Sequence, residues 1–571
     1  MEDRLSRIES QLQSLRDQFG ELERRIGALE EQPPAEAAGV TGEAAEETPV
    51  PGLAATARGL DTATALTLIG RTLVVLAGAY LLRALTESGT LAPGVGLSIG
   101  AAYALTWIVM ADRAGARGRR GSAAFHGLAC VLIGFPLLLE ATMRFKFLSH
   151  EASAAALTGF AAISLGVVWR QQLEGLGWVT TLSALFTTAV LMTLTGHVAP
   201  YAVYLVLLGV ATLWMGYVLD WVTLRWPVAL VTDLAVAVLA LRGISQRSLD
   251  SPSAALFVQV LLLALYLGSF AARTLFRGRD IIPFEIAQSV AALIVGLGGA
   301  AFVARLTGVG ALPLGIATFV LGIGCYAVAI AFVERRQRRR RNFHFYAAVA
   351  LVFTMTGAGM VLPMTALGLA LAAFAVIAAG ASRTLTSLTL RSHSAVFAVA
   401  AAAASGLLDH VSHGLGLPME QPWPPVPLGG LAVLAASILV AWMLLAGGTG
   451  PSQSPFARVP GFLMLVLTVG GVMGVSVAWI APALGNGSAA EAAGVVATLR
   501  TAVMVIATLA LARVARSPRL LEAGWLVYPL LVVTGLKFLF EDFRVSRPAT
   551  LFAAFALYGL ALIVAPRLRR R

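Results

Sequence analysis

The sequence predicts an all-α fold: a polytopic transmembrane bundle of about 18 spans, built from helical hairpins and preceded by an N-terminal coiled coil. Three observations predict it. From Ala63 to Pro566 the chain runs as apolar stretches of roughly 20 residues, the length that crosses a hydrocarbon core at about 1.5 Å rise per residue. Arginines collect in every second connector between these stretches. Finally, 58% hydrophobic and 13% charged residues over 571 positions, with a mean hydropathy of +0.81, do not suit a soluble domain of this length.

Residues 1–31 come first. Leu5, Ile8, Leu12, Leu15, Phe19, Leu22, Ile26 and Leu29 alternate spacings of three and four, the seam of a left-handed coiled coil. With Leu5 at position a, Arg4 and Arg25 fall at g and Glu9 and Glu30 at e, where a parallel, in-register partner places opposite charges together. Segment 5–29 is therefore expected to make the protein a homo-oligomer. A lone helix lying on lipid is the competing reading, but its polar face mixes Glu with Arg and lacks Trp. Gly20 and Gly27 each cost about 1 kcal/mol relative to Ala, which leaves the coil marginal on its own. Residues 32–61, rich in Pro, Ala and Glu, read as a flexible acidic linker, and no cleavable signal peptide is expected.

Residues 62–571 form the transmembrane domain. Expected spans are 63–82, 93–111, 122–140, 152–169, 176–195, 199–218, 226–242, 253–272 and 283–303. They continue as 311–333, 343–361, 363–381, 393–409, 427–446, 459–481, 493–513, 521–540 and 548–566. Arg113 to Arg120, Arg273 to Arg279, Arg335 to Arg341 and Arg513 to Arg519 come after even-numbered spans, and Arg567 to Arg571 end the chain. Basic residues stay on the cytoplasmic side, so the expected location is a bacterial inner membrane with both termini cytoplasmic. Proline opens most even spans, at Pro93, Pro200, Pro252, Pro313, Pro363, Pro427 and Pro548, where its missing N–H has no helical partner to lose. Gly96 with Gly100 and Gly470 with Gly474 are spaced for close helix contact.

The formal charge of +12 sits mostly in short loops, so anionic lipid and orientation account for it; the bilayer is the expected partner and nucleic acid is not. Cys130 and Cys325 fall inside spans and predict neither a disulfide nor a thiolate metal site. His410 and His413 are three apart, but a third ligand is missing; no metal, cofactor or catalytic residue is expected. No Walker loop or nucleotide-binding glycine fingerprint occurs.

Ionisable residues within spans are costly, about 2.5–3.5 kcal/mol at the bilayer centre, so they mark a site or an internal ion pair. Arg71, Asp233 and Arg500 are the deep ones, and Asp233 paired with Arg71 or Arg500 is the structural alternative to a substrate or proton path. Nearer the outer face lie Arg83, Glu87, Glu140, Arg144 and Lys146, and then Lys537, Glu541 and Asp542; Glu285 stands apart at the inner start of its span.

Two stretches carry a resemblance. Ile69 to Arg83 is a glycine-containing first span ending in a basic residue, with Gly89 to Pro93 after it; Lys537 to Asp542 lies near the carboxyl end, with Phe555 and Gly559 downstream. With the amino-terminal coil, these resemble the bacterial membrane-protein family called domain of unknown function 2339. Arg83 stands where that family is expected to have Lys, and Leu551 where Arg is common. The resemblance covers about 90 residues at the two ends and implies a many-helix membrane protein without specifying an activity.

Three function classes are consistent with these features. Many spans, a hairpin repeat and intramembrane charges point to a transporter or flippase-like protein for an envelope lipid or solute. The coil and the lack of a catalytic motif point to an envelope scaffold. Outer-face carboxylates alone point to a membrane-embedded transferase. A cavity reaching Asp233 would favour the first, a solid bundle the second, and a closed pocket around Asp542 and Glu140 the third.

Overall fold

A computed structural model of the chain describes residues 62–244, 249–335, 340–416, 426–446, 455–484, 489–517 and 520–570. The heptad segment and the acidic linker lie outside these residues. Residues 1–71 and 72–571 form two units; the described part of the first is helix from Thr62, and the second holds the bundle.

Among the described residues there is no strand. The helices are α1 (Thr62–Glu87), α2 (Pro93–Ala116), α3 (Arg120–Met143), α4 (His150–Gln171), α5 (Glu174–Thr195) and α6 (Ala199–Val218). Next come α7 (Arg225–Ile244), α8 (Pro252–Ala271, prolonged by a π-helical turn over Ala272–Phe276) and α9. α9 is a composite of Pro283–Ala291, a π-helical stretch over Ala292–Gly298, and Gly299–Thr307. The chain continues with α10 (Ala311–Arg335), α11 (Arg340–Val361), α12 (Met364–Thr384), α13 (Leu388–Ala404), α14 (Leu407–Leu415) and α15 (Leu428–Ala446). The last are α16 (Val459–Leu484), α17 (Ala489–Val514), α18 (Leu521–Lys537, continued by a π-helical turn over Phe538–Asp542) and α19 (Pro548–Arg570).

Sixteen of these helices are long and apolar enough to cross a membrane, or 17 if the bent pair α13 and α14 counts as one span. The first expected span falls on α1, most of whose early side chains lie outside the described residues. Expected span 393–409 is corrected: the chain bends by 73° between α13 and α14. Gly406, at φ +75°, makes that corner, a backbone conformation in which a Cβ is strained. α14 then packs on α16 so closely that a Cβ at Gly414 would lie 2.8 Å from the Gly474 carbonyl oxygen.

Short connectors favour antiparallel neighbours, so with the bent pair α13 and α14 counted as one span, successive spans divide the helix starts between two faces. One face carries four proline-led helix starts: Pro93, Pro252 and Pro548 open α2, α8 and α19, and Pro200 stands in the first turn of α6, whereas Pro283 opens α9 from the opposite face. The other carries the arginine-bearing connectors. We call them the proline face and the arginine face.

The interior and exterior are sorted by size and polarity, not by hydrophobicity alone. Ala, Gly, Ser and Thr fill much of the interior, as at Ala111, Ala184, Thr188, Ala401 and Thr508. Large apolar side chains point outward, with Phe186 and Leu230 each 70% exposed and Phe552 75%. Such a surface is untenable in water and suited to acyl chains, where association depends on close packing of small residues. This is an integral membrane protein of many helices. Its buried apolar residues form three main clusters in chain order, over 114–284, 358–475 and 473–565.

Candidate functional site

The structure gathers the sequence-predicted residues into two groups on different helices. In the first, α17 and α18 bring together Arg500, Thr501, Lys537, Glu541 and Asp542. Arg500 is 3% exposed and pairs with Glu541 at 2.5 Å; its Nε and Nη2 also donate to the carbonyls of Gly414 and His413, at 2.7 and 2.9 Å. Those carbonyls end α14, so the guanidinium occupies the negative end of a short helix dipole. Lys537 Nζ donates to Asp542 Oδ2 at 2.7 Å, to Thr501 Oγ1 at 2.8 Å and to the Ala497 carbonyl, and lies 3.7 Å from Glu541.

Asp542 is fully buried. Its Oδ2 also accepts from Thr501 at 2.9 Å, while Oδ1 has no hydrogen-bond partner. The π-helical turn over Phe538–Asp542 adds a residue to the helical turn and so sets Asp542 beside Lys537, five positions earlier. Two positive and two negative groups cancel here, which is how such charges survive in hydrocarbon.

In the second group, α1 and α3 join Arg83 to Glu140 at 2.6 Å, Arg83 Nε donates to Glu87 at 2.6 Å, and Arg144 reaches Glu87 at 2.6 Å. Glu87, at the exposed tip of α1, is held below its ordinary value, first by the hydrogen bond from Arg83. Beneath these charges is a cavity of about 290 Å³ between α1, α2 and α3. Leu82, Leu97, Leu132, Ile133 and Leu137 give it an apolar wall, and Arg83 and Glu140 form its polar end. Gly96 leaves room for Thr86 at the α1–α2 contact, the close approach its spacing predicts. The lining includes Glu140 but neither Asp542 nor Asp233.

Asp233 belongs to neither group, and its expected pairing with Arg500 is overturned. Arg500 binds Glu541 and the end of α14, whereas Asp233 Oδ1 accepts from Gln288 Nε2 at 2.9 Å. The Arg71 side chain lies outside the described residues.

Sequence reasoning missed the partners of Glu285. This carboxylate is fully buried at the start of α9, accepts from Arg273 through both oxygens at 2.9 Å, from Tyr217 at 2.5 Å and from the Ile282 backbone N–H at 2.9 Å. Arg273 also lies over the Tyr217 ring. In the sequence it reads as one more loop arginine; its seven-residue spacing from Tyr266, and that of Tyr266 from Gln259, is the signal that could have found it. Gln259 and Tyr266 are fully buried in α8, and neither the amide atoms of Gln259 nor the Tyr266 hydroxyl has a hydrogen-bond partner. Leaving such a group unsatisfied costs roughly 1–3 kcal/mol, so apolar packing alone does not explain them.

His410 and His413 lie on α14, and each turns Nδ1 toward a carbonyl one turn back, at 3.0 and 2.7 Å. Among the described residues no three His, Cys, Asp or Glu side chains are grouped as metal ligands. In comparisons with family models, curated proteins and solved structures, the chain matched none.

Proposed function

We propose that the protein handles a long-chain amphiphile within a bacterial cytoplasmic membrane, as a transporter or flippase-like protein. The observation that carries this is the cavity between α1, α2 and α3, apolar along its wall and charged at one end. Its volume, about 290 Å³, stands at the small end of ligand sites, which run roughly 300–1,000 Å³. An acyl chain suits the leucine wall. A phosphate-bearing headgroup suits Arg83 and Arg144, and Glu87 and Glu140 balance them so that a zwitterionic head is favoured over a doubly anionic one. The arginine face is cytoplasmic in this reading, which puts the charged end in the outer leaflet and both chain ends inside the cell. The likeness of the Ile69–Arg83 and Lys537–Asp542 stretches to domain of unknown function 2339 fits the same picture.

The test is lipid movement. The full chain is reconstituted into phospholipid vesicles carrying a trace of headgroup-labelled phospholipid, and the label reachable by an external reductant is followed. The wild-type chain is expected to expose inner-leaflet label. Leu132→Trp, which fills the cavity, is expected to slow this about tenfold, a barrier change of about 1.4 kcal/mol. Exposure no faster than in protein-free vesicles would overturn the lipid-moving reading and leave the envelope scaffold in its place.

Segment 5–29 serves self-association in either case. A cysteine at Leu15, a d position of the heptad, is expected to give a covalent dimer in oxidised membranes. A monomer only, with the thiol shown to be reactive, would remove the coiled coil from the proposal.

A further inference from the structure

We propose that α6, α7, α8 and α9 enclose a path for protons across the membrane, with Asp233 as the group that binds and releases the proton. α8 presents Gln259, Tyr266 and Arg273 at successive intervals of seven residues, hence on one face and two turns apart each time. At about 1.5 Å per residue the three cover some 21 Å of a hydrocarbon core about 30 Å thick. Packing needs no amide, phenol or guanidinium at such positions.

The facing helices supply polar groups along the same line. At the arginine face, Glu285 of α9 holds Arg273 and Tyr217. One turn along α9, Gln288 donates to Asp233 of α7. Next is the Tyr266 hydroxyl, set against the backbone of α6: a Cβ at Gly209 would collide with it and would lie 3.6 Å from Thr232 Oγ1, the neighbour of Asp233 in α7. Gln259 continues the line toward the proline face. Its Nε2 would be 2.7 Å from a Cβ at Gly299, where the π-helical stretch of α9 ends.

Tyr266 and Gln259 are fully buried, and the hydroxyl of the first and both amide atoms of the second are without a hydrogen-bond partner. They are donors and acceptors that water can join, and a buried water is stable where two to four polar groups meet it. Beyond Gln259 the proline face offers Arg242, bonded to the Gly196 carbonyl at 2.9 Å, and His197, 3.3 Å from Asp250.

The transfer conserves atoms. A proton arrives through water held by Gln259 and Tyr266 and forms an O–H bond on the Asp233 carboxylate. That bond then breaks toward water on the Glu285 side, and the carboxylate is restored. Nothing is oxidised or reduced. Gln288 positions the Asp233 carboxylate and takes no proton itself. The path shares no residue with the amphiphile cavity, so it does not rest on the lipid reading.

The experiment uses the full chain in vesicles with an internal pH dye and a potassium diffusion potential. Wild-type vesicles are expected to acidify faster than protein-free ones. Asp233→Asn is expected to lower the rate about a hundredfold, the lower end of what a positioned proton-transfer group contributes. Tyr266→Phe and Gln259→Leu should lower it less, and Val320→Ala, on an outward face of α10, should not change it. Size-exclusion elution and helical circular dichroism check folding. If Asp233→Asn fails to fold, Tyr266→Phe, which keeps the ring, carries the test alone. Wild-type flux equal to that of empty vesicles, or flux unchanged in every folded variant of the line, would overturn the proposal.

Discussion

Lys537→Met is expected to destabilise the folded protein by about 3–5 kcal/mol, because it strands the buried Asp542 carboxylate. Asp542 is fully buried and loses the cationic hydrogen-bond donor Lys537 in the change, keeping Thr501. The same substitution removes donors to the Ala497 carbonyl and Thr501, although methionine refills most of the volume. Asp542→Leu alone should cost about as much, since it leaves a lysine that is 8% exposed beside Glu541 at 3.7 Å. The informative variant is the double one. An ion pair replaced by apolar groups of similar size is often neutral or better, so Lys537→Met with Asp542→Leu should recover most of the loss. Thermal unfolding monitored by size-exclusion chromatography measures all three. If the double variant is as unstable as either single one, the pair is not the unit of stability. If it is stable but defective in lipid movement, the pair also serves the activity.

How much of this was legible in the sequence depends on what a sum over residues can register. The expected spans other than 393–409 fall on helices because a 20-residue apolar run has few alternatives in a membrane, and Pro93, Pro252 and Pro548 marked helix starts to the residue. The Lys537–Asp542 contact was near enough in sequence to be read as a motif. Arg500 was not assignable to Glu541, 41 positions away, because hydropathy says how deep a charge sits and nothing about which helix it faces.

The same blindness hid Glu285, whose partners come from 12 and 68 positions away. The break at Gly406 was invisible for a different reason. Gly and Ser are so common in these spans that one more pair carries no signal, and the corner depends on α14 finding the small Gly474 surface of α16. Gln259 and Tyr266 were absorbed into the strongly apolar average of the span that holds them.

Glu285→Ala should be the second large effect, again about 3–5 kcal/mol. Removing the carboxylate leaves Arg273, only 15% exposed, without its counter-charge, and leaves the Tyr217 hydroxyl and the Ile282 N–H without their acceptor. The last of these is the backbone donor of the residue that caps α9, and Glu285 itself sits in the first turn, where an acidic side chain also meets the positive end of the helix dipole. Arg273 keeps a hydrogen bond to the Asp280 carbonyl and its place over the Tyr217 ring, which limits the damage at that side chain. Glu285→Gln retains an acceptor for one donor and should lose about half as much, and Tyr217→Phe, which deletes one hydrogen bond to a charged group, about 1.5–3 kcal/mol. The size of the Glu285→Gln loss separates a charge network from simple packing. Packing alone would make Glu285→Gln, nearly the same volume, almost silent. Thermal unfolding of the three purified variants decides between them, and a silent Glu285→Gln would mean that shape and not charge holds the start of α9 against α6 and α8.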